Sequence, residues 1–384
     1  MSAPSPRSTP LPYHAATALL TGLTLLLCAA CVQSTKMLTQ RPADAPEFRY
    51  VGRVDTTDAS RPVLAGAASY VEFLAGGDSL FVTLTAKAPS AGDHTFAAVE
   101  IAGEYRGRFY VPIGDTTFAF ALPGGTTEAQ HRIRVHHAAE ALTSRLVFVS
   151  ARAQTLAAAP AEGRELAVFF GDSMSSGAAS DTTYRACGEG DYHDQTNAYL
   201  AFPARVGRAL DMDYIVHSAS GRGLYTNWNG QDPPLPALLP HLYLDTADAT
   251  PYDMASADPV LAVVALGTND LNSAPDLRPE FDSVTFRNAY RDLIDAIVQA
   301  HPRAAVLLSS SAMHSGPPAR SFEGVLRRVV ADARRRHPSL DIDATMLEDM
   351  ELSGCPAGPH PSVEEHAVIA EQLLADAREL LGRS

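Results

Sequence analysis

Two hydrophobic rhythms divide this chain. From Phe48 to about Gln154, apolar residues recur at every second position. Leu80, Val82 and Leu84 alternate with Phe81, Thr83 and Thr85; Phe118, Phe120 and Leu122 alternate with alanines; Ile133 and Val135 alternate with arginines. A period of two with one apolar face predicts half-buried strands. Gly76-Gly77-Asp78 and Pro123-Gly124-Gly125 supply turns between them. Many short strands at close spacing predict an all-β sandwich or jelly roll over 48–156. An Ala/Pro/Gly stretch at 157–163 then ends that pattern. Beyond it, near-continuous apolar runs at 166–170, 214–216, 260–266 and 304–308 alternate with helical patterns at 199–210, 284–301, 322–337 and 362–381. Apolar strands alternating with helices predict an α/β domain over 164–384, its parallel sheet covered on both faces.

Composition adds bounds. The chain has 384 residues and a formal net charge of −14. Two domains suit that length, and a surface this acidic repels phosphate backbones, so nucleic acid is not expected as a partner. Lys36 and Lys87 are the only lysines. Arg7 followed by an apolar stretch at 15–30 reads as an export signal over 1–31. The small residues before Cys31 resemble a bacterial lipobox, which would make Cys31 a lipidated residue and attach the protein to a membrane. Cys28 stands where such boxes usually carry Leu, and ordinary signal-peptidase cleavage is the alternative. Residues 32–47 read as a linker. Export would leave Cys187 and Cys355, which an oxidising compartment permits to bridge. Two free thiols are the alternative, and neither spacing resembles a zinc site.

The chemistry gathers at the ends of the apolar runs. Gly171-Asp172-Ser173 follows the first, Ser218-Ala219-Ser220-Gly221-Arg222-Gly223 the second, and Leu266-Gly267-Thr268-Asn269-Asp270 the third. Active sites of parallel sheets lie at the carboxyl ends of strands. Ser173 is the candidate nucleophile, and a serine hydroxyl needs a base to accept its proton. His360, in Pro359-His360-Pro361 before the last helical pattern, is the candidate base; His366, inside that pattern, is the rival. The backbone N–H groups of Ser173 and Gly221 and the side-chain amide of Asn269 are candidate donors to an oxyanion, with Gly223 the alternative to Gly221. Ser175 stands where an α/β-hydrolase elbow needs glycine.

Ser, Gly, Asn and His in this order resemble the four blocks of the SGNH (GDSL) hydrolases, which implies a three-layer α/β/α fold. The match narrows further through Ser220-Gly221-Arg222-Gly223-Leu224-Tyr225-Thr226-Asn227-Trp228-Asn229-Gly230, Pro233-Pro234-Leu235-Pro236 and His241-Leu242-Tyr243. With Tyr50-Val51-Gly52-Arg53 and Tyr70-Val71-Glu72-Phe73 upstream, the chain resembles the second family of carbohydrate esterases, a jelly roll fused to an SGNH domain. That resemblance implies removal of acetyl groups from acetylated polysaccharide such as xylan or mannan, with no cofactor or metal. An SGNH aspartate three residues before the histidine is replaced here by Ala357, which leaves a Ser-His dyad or a more distant acid such as Asp343 or Asp349. Trp228, the only tryptophan, is either a sugar platform or a plug between the domains. Asp172, beside the nucleophile, is assigned with it to substrate contact. A lipid esterase on the same fold, and a non-catalytic sugar-binding protein with a degenerate hydrolase domain, are the alternatives.

Overall fold

The alternating segments pair into two antiparallel six-stranded sheets. The structure is a computed structural model that describes residues 37–87, 92–160, 163–230, 233–248, 250–271, 281–355 and 360–383. One sheet runs Val54–Asp55, Val63–Leu64, Arg145–Ala153, Ser79–Lys87, Thr116–Ala121, with Thr39–Pro42 added to Arg145–Ala153. The other runs Thr155–Ala157, Tyr70–Gly76, Gln130–His137, His94–Ile101, Glu104–Pro112, with Arg49–Val51 added to Tyr70–Gly76. Register sets the inward faces: Val71 opposes Val135 and Phe73 opposes Ile133. These meet Leu80, Val82, Leu84 and Phe148 in one core. Each such side chain contributes roughly 1.5–3 kcal/mol by leaving water.

The sandwich begins earlier than its apolar pattern. Residues 39–42 pair with Arg145–Ala153, from Thr39 opposite Ala153 to Pro42 opposite Ser150, so 32–47 is not wholly a linker. Gln40 and Arg41 give this strand no continuous apolar face, and Pro42 is tolerated because an edge strand need not donate on both sides.

The second domain is a parallel sheet in the order Asp213–Ser218, Leu166–Gly171, Leu261–Ala265, Ala305–Ser309, Ile342–Thr345. The helices Ser283–Ala300 and Gly316–Arg336 pack Phe286, Tyr290, Ile294, Phe322 and Leu326 against Val168, Phe170, Val264 and Val306. On the other face, Phe202–Ala209 and Val363–Leu380 set Phe202, Val206, Ile369 and Leu373 against Phe169, Val216, Val263 and Leu307. Three layers result, as expected. The apolar pattern does not predict the strand Ile342–Thr345: its Asp343 is exposed and, among the described residues, it has a strand neighbour on one side only, so it lacks a buried-strand pattern. The helix Gly316–Arg336 starts before Phe322 because Pro317 and Pro318 fall in its first turn, where no N–H is required.

The sandwich is clamped to the sheet by buried charge. Arg53, 0% exposed, donates to His217 Nδ1 at 2.9 Å and to the carbonyls of Leu239 (2.9 Å) and His241 (2.6 Å). Glu72 accepts from Arg49, Arg132, Arg134 and Arg164. Those four guanidiniums hold its carboxyl far below the usual range, against the opposing effect of burial. Removing Glu72 takes the shared carboxylate from all four guanidiniums at once, at a cost of about 3–5 kcal/mol.

Candidate active site

The strand Leu166–Gly171 ends in a short helical turn, Ser173–Ser176. Asp172 caps it, its side chain accepting from Met174 N at 3.1 Å. Ser173 is therefore the first helical residue, where backbone N–H groups have no acceptor within the helix. Gly171 is required here, since a Cβ would lie 1.9 Å from Ser175 Oγ.

Nε2 of His360 lies 2.9 Å from Oγ of Ser173, across 187 residues of sequence. Both residues are under one-tenth exposed. Several contacts fix the histidine loop. Gly354 N donates to His360 O at 3.0 Å and Cys355 N to Ala179 O at 2.8 Å, and a Cβ on Gly354 would lie 2.3 Å from His360 O. A disulfide joins Cys187 to Cys355, so these cysteines are not free thiols. Two residues after His360, Ser362 and Glu365 form a reciprocal capping box on the terminal helix. The rival His366 is a core residue: it is fully buried against Phe202, and burial lowers its pKa to about 3. Ala357 lies outside the described residues. Asp343 faces Arg334 on the surface, at 3.4 Å, away from any orienting role.

The glycine loop separates its two candidates. Gly221 has φ +76°, and a Cβ there would lie 2.4 Å from the Trp228 indole. Gly223 is committed elsewhere, its N–H donating to Asn227 Oδ1 at 3.0 Å. Asn269 is the second residue of the short turn Thr268–Leu271 that follows Leu261–Ala265 and is 7% exposed; its Nδ2 donates to Arg222 O at 2.9 Å and Asp172 Oδ2 at 3.2 Å. Trp228 is 46% exposed beside Gly221, so it does not plug the gap between domains.

Asp172 requires a correction. It is 0% exposed and its oxygens serve Met174 N–H and Asn269, so it does not face substrate. Adjacency to the nucleophile misled because the residue before a helix's first turn points its side chain back to cap that turn. Burial raises its pKa to about 7, with the Asp270 and Glu140 carboxylates adding to the effect.

Two buried acids escaped the sequence reading. Glu140 comes from the sandwich, just after the strand Gln130–His137. It accepts from Ser176 Oγ at 2.5 Å and from Ser220 N at 3.0 Å. It thus joins the nucleophile's turn to the residue before Gly221, and burial raises its pKa. Asp270 accepts from the N–H groups of Leu224 (2.8 Å), Tyr225 (2.9 Å) and Thr226 (3.1 Å), holding the far end of the same loop. An acid inside the apolar run Ala138-Ala139-Glu140-Ala141-Leu142 was the available signal for the first.

A hydroxyl facing an imidazole at the carboxyl end of a parallel sheet, beside a glycine loop and a buried amide, defines a serine-hydrolase type of site. The sequence is matched by the family model described as GDSL-like Lipase/Acylhydrolase over residues 169–368, and by Carbohydrate esterase 2 N-terminal over 50–160. The chain belongs to the GDSL-like lipase/acylhydrolase family, and it carries the N-terminal domain of family two carbohydrate esterases. It is 26% identical over 349 residues to the cellulase/esterase CelE of Acetivibrio thermocellus, covering 88% of this chain and 40% of that protein. It is also 26% identical over 265 residues to an acetylxylan esterase / glucomannan deacetylase of Cellvibrio japonicus, covering 66% of this chain and 68% of that protein. Among solved structures, a family two carbohydrate esterase from Clostridium thermocellum in complex with cellohexaose superposes with a TM-score of 0.72 at 24% identity, covering 87% of this chain and 99% of that one.

Proposed function

We propose that the chain is an exported serine esterase that removes O-acetyl groups from a polysaccharide such as xylan or mannan. The observation that carries this is the 2.9 Å contact between His360 Nε2 and Ser173 Oγ. His360 accepts the Ser173 proton as Oγ attacks the acetyl carbonyl carbon, and the carbonyl oxygen gains the charge. The N–H groups of Ser173 and Gly221 and the amide of Asn269 stabilise that oxygen, Asn269 exchanging one of its two present acceptors for it. The tetrahedral intermediate collapses to acetyl-Ser173, and His360 returns its proton to the departing sugar hydroxyl. Water then gives a proton to His360 and its oxygen to the acetyl group; acetate leaves and Ser173 recovers the proton.

The sugar class draws on the names of the relatives, together with Trp228. Its half-exposed indole beside Gly221 offers an aromatic face to the apolar C–H surface of a sugar ring. Export, and lipid attachment through Cys31, rest on the N-terminal sequence alone, which lies outside the described residues. The test is acetate release from acetylated xylan and glucomannan, alongside p-nitrophenyl esters of acetate and of long-chain acids. The reading expects acetyl esters to dominate and Trp228→Ala to raise KM on polysaccharide while sparing p-nitrophenyl acetate. A preference for long-chain esters would replace it with the lipid-esterase reading.

A further inference from the structure

We propose that His94, His193 and Asp194 form a structural binding site for one transition-metal dication, Zn2+ by ligand type, at the seam between the sandwich and the catalytic domain. His94 opens the sandwich strand His94–Ile101, whereas His193 and Asp194 lie in the turn Tyr192–Gln195 of the other domain. One donor atom from each lies within 4.8 Å of the others, and all three residues are buried. Two imidazoles and a carboxylate are a donor set that zinc takes where water fills its fourth position.

Two further features point to a ligand. Nε2 of His193 is buried and has no hydrogen-bond partner among the described residues, a penalty that coordination would remove. His94 carries the outer partner that metal-bound histidines usually have. Its Nε2 faces Asp194 Oδ1 at 2.6 Å, and its Nδ1 faces Asp93 Oδ1 at 2.8 Å. A carboxylate on the far nitrogen fixes the ring and raises its basicity as a ligand. Asp194 is held as well, its Oδ2 accepting from Asp191 N at 2.9 Å. Among the described residues, the cation paired with that oxygen is Arg185, at 3.2 Å, whose side chain is half-exposed.

Binding balances simply. The proton between His94 Nε2 and Asp194 Oδ1 leaves for solvent as the ion takes its place. Those two atoms then separate to roughly 3.3 Å, the edge of a tetrahedron with bonds of about 2.0–2.1 Å. The ion would brace the loop that borders the catalytic site on both sides. Tyr192 donates to Ser220 Oγ at 3.3 Å, next to Gly221, and Cys187 is bridged to Cys355 near His360. No step of the esterase reaction uses it, and the proposal stands apart from that reading.

The test is isothermal titration calorimetry of the chelator-treated full chain with zinc chloride, in two buffers of different ionisation enthalpy, with thermal melting alongside. The expected result is one ion per chain at micromolar affinity or tighter, release of about one proton, and a higher Tm. In His193→Ala the affinity falls tenfold or more; should circular dichroism show that variant misfolded, His193→Gln takes its place. No saturable binding in the parent, or equal affinity in the parent and the folded His193 variant, overturns the proposal.

Discussion

Replacing Glu140 tests whether the sandwich domain sets the geometry of the oxyanion site. In Glu140→Gln the shape stays while one oxygen becomes an NH2 group, which cannot accept from Ser220 N–H or Ser176 Oγ–H. Oε2 accepts both the 2.5 Å contact from Ser176 and the 3.0 Å contact from Ser220, and Oε1 accepts a longer one from Ser220 N at 3.3 Å, so an NH2 group in the Oε1 position meets the Ser220 N–H donor against donor. A hydrogen bond to a charged group is worth about 1.5–3 kcal/mol and a neutral one about 0.5–1.5 kcal/mol, so the bonds to Ser176 and Ser220 lose about that difference in restraint. Part of this is offset, because burial already disfavours the Glu140 carboxylate. The catalytic cost follows from position. Ser220 precedes Gly221, and complete loss of one oxyanion donor costs about 10²–10³ in kcat. Partial misplacement therefore costs on the order of 10–10² in Glu140→Gln, and more in Glu140→Ala. The assay is steady-state hydrolysis of p-nitrophenyl acetate with thermal melting in parallel. The loss falls on kcat with KM little changed, since the misplaced donor acts mainly in the transition state. A folded Glu140→Ala protein with kcat within twofold of the parent would refute the reasoning.

Asn269→Ala keeps the fold and loses on the order of 10²–10³ in kcat, read on the same ester; turnover near the parent's would remove its amide from the site. Cys355→Ser breaks the bridge to Cys187, lowers stability by about 2–4 kcal/mol in a denaturant titration, and reduces kcat by loosening the His360 loop. Asp172→Asn separates from the parent as pH rises. The folded parent keeps the Asp172 proton up to about pH 7, whereas the unfolded chain releases it near the ordinary carboxylate value of 3.8. Parent stability is thus fully present at the lower value and is lost as pH climbs to about 7, by up to about 4 kcal/mol. The variant matches the parent near pH 4 and gains on it until about pH 7; a constant difference across that range in melting experiments contradicts the assignment.

Much of the architecture was legible because hydrophobic period alone dictates it. The runs around Val168 and Val263 are buried on both faces and read as parallel strands, while Leu80-Phe81-Val82-Thr83-Leu84 reads as a half-buried one. Where period is weak the reading stopped short, at the edge strands Thr39–Pro42 and Ile342–Thr345. In the site, the blocks around Ser173, Gly221, Asn269 and His360 were legible because each sits just past an apolar run or just before a helix. The acids were not. Glu140 reaches Ser220 across 80 residues and Asp270 reaches Leu224 across 46, contacts that no local pattern encodes. Asp172 was misassigned because sequence shows adjacency and not burial.

Acetate release from acetylated xylan by Ser173→Ala, with the fold confirmed by circular dichroism, tests the attack by Ser173 most directly. The account predicts a fall in kcat on the order of 10⁶-fold, as when a serine hydrolase loses its nucleophile. Release at a rate near the parent's from that folded variant would contradict it.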